Sequence, residues 1–168
     1  MFQKARGILM KKLVYIESSV ISYLTAKPSR DIIVAAYQQI TRDWWDSELT
    51  KHECFISDFV VDEISRGDIH ASKKRMKVVK EFKKLGLNDT VFDLVIEYKK
   101  RLNIPERAEL DLYHLALSVG NGMDYVLTWN FKHIANAYVR ENLTEINTSL
   151  GLRTPTICTP EELIGENK

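Results

Sequence analysis

The sequence predicts an α/β domain of three layers, with a central parallel sheet and helices on both of its faces. Short runs of β-branched and aromatic residues at 13–16, 54–57, 125–128 and 156–158 are the strand candidates. Helical patterns separate each run from the next, so none can pair as a hairpin, and crossover connections then make the sheet parallel. The chain is 168 residues long and shows no repeat or linker-like stretch between residues 11 and 165, which suits one domain with its own core.

Leu13-Val14-Tyr15-Ile16 reads as the first strand, and Ser18-Ser19 offers hydroxyl caps for a following helix. Ile33, Tyr37, Ile40 and Trp44 recur at spacings of four and three, drawing an apolar stripe on a helix that Asp31 caps and that reaches about Leu49. Trp45 lies beside that stripe and widens the core, with an interface role as the weaker alternative. After the strand at 54–57, Phe59, Val60 and Ile64 begin a short helix that Gly67 ends. Residues 71–85 carry Met76, Val79 and Phe82 on one side and lysines on the other, and predict a helix stopped by Gly86. Val91, Leu94, Val95, Tyr98 and Leu102 mark the next helix, and residues 106–119 another, with Pro105 near its first turn and Gly120-Asn121-Gly122 beyond its end. A helix over 134–150 and a terminal helical turn around 161–163 flank the last strand.

Composition narrows the function classes. Lys and Arg total 24 against 23 Asp and Glu, a net charge of +1, so bulk positive charge cannot hold a nucleic acid and a phosphate partner needs a local patch or a metal. Cys54 and Cys158 form no CxxC pair, which argues against a disulfide framework or a cysteine zinc site and fits a reducing cytoplasm. The apolar piece Gly7-Ile8-Leu9-Met10 is too short for a signal-peptide core, and no run approaches the roughly 18 apolar residues of a membrane span. Met10-Lys11-Lys12 before the first strand makes residues 1–9 an expected, weakly ordered extension to a domain over 10–165. No dinucleotide loop, P-loop or HExxH spacing is present.

Ligands of open parallel sheets collect at the carboxyl ends of the strands, where this chain places Glu17, then Asp58 and Glu63, then Asn130. A carboxylate directly behind four apolar strand residues is costly to desolvate without a cation or donors. Glu17 alone also reads as a solvated loop acid, and Asp62-Glu63 as two solvent-facing helix residues. Asp111 sits at the edge of the face made by Ala108, Leu112, Leu115, Ala116 and Val119, which requires either a basic partner or a metal. His114, one turn on, reads as a packed, hydrogen-bonded side chain. Lysines 73, 74, 77, 80, 83 and 84 with Arg75 are the single basic run, either a solvated face or an RNA-backbone contact.

Tyr15-Ile16-Glu17-Ser18-Ser19-Val20-Ile21, Ser57-Asp58-Phe59-Val60-Val61-Asp62-Glu63-Ile64, Asp111-Leu112-Tyr113-His114-Leu115-Ala116 and Leu127-Thr128-Trp129-Asn130 resemble, in order and spacing, the motifs of PIN domains. This family of metal-dependent ribonucleases includes the VapC-type toxins of toxin–antitoxin pairs. The resemblance covers residues 10 to 165 and implies a Mg²⁺- or Mn²⁺-dependent endoribonuclease. Glu17, Glu63 and Asp111 are then its metal-binding acids, Asn130 completes the catalytic set, and Ser19 and Thr128 support it. It also implies RNA as substrate, contacted by Lys73, Lys74 and Lys77, with an antitoxin protein and a second copy of the chain as candidate partners. The family's first acid is usually Asp where this chain has Glu17. Its fourth acidic position holds Asn130, expected to offer a carbonyl oxygen without charge. These departures motivate a second reading, a catalytically weak PIN-like module that binds RNA or protein. A third reading is an unrelated small-molecule binder with its pocket elsewhere.

Overall fold

The computed structural model describes residues 10–165, so the expected extension over 1–9 lies outside the described residues. The elements run β1 (Leu13–Ile16), α1 (Ser18–Thr25), α2 (Ile32–Ser47), β2 (Glu53–Ser57), α3 (Asp58–Ser65), α4 (Ile69–Val79), β3 (Lys83–Leu85), α5 (Asp89–Arg101), α6 (Glu109–Gly120), β4 (Tyr125–Leu127), α7 (Ala137–Ser149) and β5 (Thr156–Cys158). All five strands are parallel, in the order β3-β2-β1-β4-β5, and seven helices flank them as the three-layer α/β/α prediction required.

β1 lies at the centre. Val14, Tyr15 and Ile16 are all fully buried, as a strand covered on both faces must be, which is why its sequence reads as an unbroken apolar run rather than an alternating one. Tyr15 aligns with Phe55 of β2 on one side and with Val126 of β4 on the other, so the ends of β1, β2 and β4 fall at one edge of the sheet. Helices α1 to α4 pack among themselves, while α5 packs on α6 and α7. No helix among the described residues is long and apolar enough to cross a membrane.

Four local expectations are corrected. The helix expected over 71–85 stops at Val79, and Lys83–Leu85 instead forms the edge strand β3 beside β2. Met76, Val79 and Phe82 satisfy a helical period, but only pairing with β2 can bury Leu85, and the exposed lysines 83 and 84 blunt a free edge. The helix over 106–119 begins as a 3-10 turn at Glu106–Ala108, so α6 starts at Glu109 and Asp111 lies in its first turn, closer to the helix dipole than its spacing from Pro105 suggests. The helix over 134–150 starts at Ala137, capped by Asn136. Residues 161–163 form a hydrogen-bonded turn rather than a helix. Asp31 does cap α2, its Oδ1 accepting from the backbone N–H groups of Ile33 and Val34. Gly67 follows α3 at a positive φ of 84°, as its role of helix stop requires. Trp45 packs edge-on against Trp44 and Phe82 at the margin of the core.

Candidate functional site

Glu17 leaves the end of β1 and is itself the N-cap of α1, a role the sequence assigned to Ser18-Ser19. The serines turn back onto it. Glu17 Oε1 accepts from Ser18 Oγ at 2.7 Å and from the Ser19 N–H at 3.2 Å; Oε2 accepts from Ser19 Oγ and from Thr128 Oγ1, the latter at 2.7 Å. Ser19 Oγ also accepts from the Trp129 N–H, and Thr128 Oγ1 from the Asn130 N–H. Glu17 is only 3 % exposed, and these four donors offset the cost of burying its charge. Ser19 and Thr128 thus hold the Glu17 carboxylate through their hydroxyls.

Glu63 shares a face of α3 with the buried Val60 and Ile64, so it turns inward while its neighbour Asp62 faces solvent and pairs with Arg66. Its Oε2 lies 3.0 Å from His114 Nε2. Burial pushes the Glu63 carboxyl up, but the hydrogen bond and charge of His114, helped by Ser18 and Arg66, hold it below the ordinary range. Asp58 starts α3 and points away from the site, to Lys84.

His114 has no exposed surface and is hydrogen-bonded at both nitrogens, as read from sequence. The Val60 N–H donates to Ser57 Oγ, and Ser57 Oγ, Tyr15 Oη and His114 Nδ1 follow one another at 2.7 Å. With Nε2–H donating to Glu63, a neutral ring accepts from Tyr15 Oη at Nδ1 and a charged ring donates to it there. Burial disfavours a charged imidazole here, yet Glu63, Glu17 and Asp111 together hold its pKa above the ordinary value.

Asp111 takes a basic partner, one of the two alternatives its position required. Oδ2 accepts from His133 Nδ1 and Oδ1 from Asn130 Nδ2, both at 2.9 Å. Burial raises the Asp111 pKa and the nearby Glu17 charge adds to this, against the pull of His114 and His133. Asn130 does not present a carbonyl oxygen to the acids as expected: its Oδ1 accepts from the His133 N–H, and the amide N–H faces Asp111. Sequence reasoning missed His133. The available signal was its place three residues after Asn130, the spacing of a side-chain-capped turn.

One ligand atom each of Glu17, Glu63 and His114 falls within a mutual distance of 4.8 Å, the one such metal-competent group among the described residues. Glu17 and Glu63 thus lie together with His114, whereas Asp111, expected as the third metal-binding acid, stands outside that group. The two carboxylates would suit a divalent cation, whereas His114, hydrogen-bonded at both nitrogens, orients Glu63. The pair brings hard carboxylate oxygens from two chain segments, like charges in a largely buried site, and hydroxyl donors on Glu17 that can rotate away. Lys73, Lys74 and Lys77 are exposed on α4, away from these acids in sequence, and Lys74 lines a cleft with Lys27, His70 and Arg75. No protein-family model matches this sequence, and no curated protein matches it.

Proposed function

We propose that the protein is a PIN-like, Mg²⁺- or Mn²⁺-dependent endoribonuclease that hydrolyses RNA phosphodiester bonds at the carboxyl edge of its sheet. The observation that supports this most is the convergence of Glu17 from the end of β1 and Glu63 from α3, with the Asp111 carboxylate raised in pKa by burial and by the Glu17 charge. Glu17 and Glu63 would hold the ion, with Asp111 as the third acid. When bound, such a cation supplies positive charge at the scissile phosphate and acidifies the attacking water.

The chain's own residues supply the orientation. Ser18, Ser19 and Thr128 fix the Glu17 carboxylate, His114 fixes that of Glu63, and Asn130 with His133 fixes that of Asp111. Burial and the neighbouring Glu17 carboxylate raise the Asp111 pKa, which suits it to accept a proton from water. RNA is the substrate on this reading, and an antitoxin protein and a second copy of the chain are the partners that the motif resemblance suggests.

A cleavage assay on structured and unstructured RNA with Mn²⁺, with EDTA, and with Asp111→Asn tests it. Metal-dependent cutting that disappears in the variant is expected, and cutting that survives Asp111→Asn rejects the site. One observation favours the second reading, a catalytically weak RNA- or protein-binding module: all four acceptor positions of Glu17 already have donors within the protein. That reading requires RNA binding without cleavage and no Mn²⁺ binding by calorimetry.

A further inference from the structure

Residues 128–131 are two-faced. Thr128 and Asn130 reach back to Glu17 and Asp111, while Trp129 and Phe131, on either side of a turn closed by the Phe131 N–H to the Trp129 carbonyl, line a separate cleft. On that second side, Tyr37 of α2 stacks on Trp129 with ring centroids 4.3 Å apart, and Phe131 leans on both at 5.9 and 6.0 Å. Tyr23 closes the cluster edge-on at 6.1 Å from Tyr37 and from Trp129.

Trp129 is buried and anchored, its Nε1–H donating to Thr41 Oγ1, so it forms a fixed floor. Phe131 is 43 % exposed, with ring surface open to solvent. Tyr37, Trp129 and Phe131 line a cleft of about 250 Å³ whose other wall is polar, made by Arg140, Thr159, Glu161 and Glu162. Arg140 donates from Nη2 to Glu162, but its Nε–H is buried with no hydrogen-bond partner. The volume is below that of a drug-sized pocket and suits one small planar group. Its two walls match such a group's two chemistries, a π-face for the aromatics and an edge of donors and acceptors for Arg140 and Glu161.

We propose that this cleft is a nucleobase subsite, in which a single-stranded RNA base next to the cleaved linkage stacks on Phe131 and Tyr37 and meets Arg140 with its edge. The inference rests on the ribonuclease reading for its choice of RNA. Single-stranded RNA is typically recognised by unstacked bases laid on aromatic side chains and hydrogen-bonded along their edges. Phe131 follows directly on Asn130, whose side chain is bonded to Asp111, so a base held on Phe131 would lie within a short reach of that acid. Base pairing would withhold that base, and duplex RNA is excluded for this reason.

The test separates binding from cutting. In EDTA, the affinity of the full chain for a labelled single-stranded RNA hexanucleotide is measured by fluorescence anisotropy, beside a hexamer of the same backbone without bases. Phe131→Ala should weaken binding of the hexanucleotide about tenfold, the scale of one lost stacking contact. Phe131→Tyr should retain it, and the abasic hexamer should bind both proteins alike. Equal hexanucleotide affinity in wild type and Phe131→Ala overturns the proposal, as does an equal loss for the abasic hexamer. So does RNA binding that is unchanged while Phe131→Ala abolishes self-association in sedimentation, which would assign the cleft to a protein partner. Phe131-dependent binding by a chain that never cuts RNA with Mn²⁺ leaves the subsite standing and removes only the nuclease reading; metal-dependent cutting with binding indifferent to Phe131 does the reverse.

Discussion

Asn130 donates its side-chain amide to Asp111 across 2.9 Å, and the same amide's oxygen caps the His133 N–H, so one residue sets both the carboxylate and the histidine that faces it. Asn130→Asp removes that donor and places a carboxylate against a carboxylate. Metal-free protein should lose about 1–3 kcal/mol of stability, the cost of a buried polar group left unpaired. Saturating Mn²⁺ should recover more stability in the variant than in wild type, because a cation that binds only the folded acid cluster stabilises by mass action. Thermal melting with EDTA and with Mn²⁺ checks both, and an equal shift in the two proteins would show that position 130 does not sense the ion.

Glu63→Gln and His114→Phe separate ligand from orienter. The first keeps the volume and the fold while removing a charge, and should weaken Mn²⁺ binding in calorimetry. The second leaves Tyr15 Oη and the Glu63 carboxylate without their shared partner, and should cost about 2–4 kcal/mol in urea unfolding. Unchanged Mn²⁺ affinity in Glu63→Gln would mean that Glu63 is only a structural partner of His114.

Gly120 ends α6 against α5. A Cβ there would stand 2.7 Å from Val91 Cγ2 and 3.5 Å from the Val91 backbone nitrogen, and a β-branched side chain beside its own backbone has little room to yield. Gly120→Ala should therefore destabilise by about 1–3 kcal/mol despite the better helix propensity of alanine. Val91→Ala added to it should recover part of the loss in denaturant titration.

Asp124 ties the start of β1 to the turn before β4. The backbone N–H of Leu13, more than Lys12 or Arg153, holds its carboxyl down at about 2. A depressed carboxyl stabilises the fold at pH above its unfolded value near 4, and that contribution disappears as the pH falls toward 2. Solvent around the two exposed cations limits it to on the order of 1 kcal/mol. Asp124→Asn should flatten the stability profile over that pH window, followed by chemical denaturation at each pH.

Lys73, Lys74 and Lys77 are exposed on α4, and among the described residues none of them is in an ion pair. Replacing all three by Ser should weaken RNA binding several-fold and reduce its salt dependence, as fewer counterions are released. An unchanged slope of affinity against salt would leave the run as a solvated face.

The layered fold is legible in the sequence, and so are the strand ends at which Glu17 and Asn130 lie. Runs such as residues 13–16 are apolar because both faces of a central parallel strand are covered, and helix stops and caps such as Gly67 and Asp31 follow from local backbone chemistry. Given parallel strands, their carboxyl ends alone locate Glu17 and Asn130. What the tertiary structure decided were the contacts between residues far apart in the chain. β3 is three residues with two lysines, and only the β2 backbone makes it a strand. Thr128 reaches Glu17 across 111 positions, His133 reaches Asp111 across 22, and the Ser57–Tyr15–His114–Glu63 chain joins four elements whose spacing carries no periodic signal. Periodicity reports which face of an element is buried; which polar atoms then meet there depends on the packing of whole elements against one another.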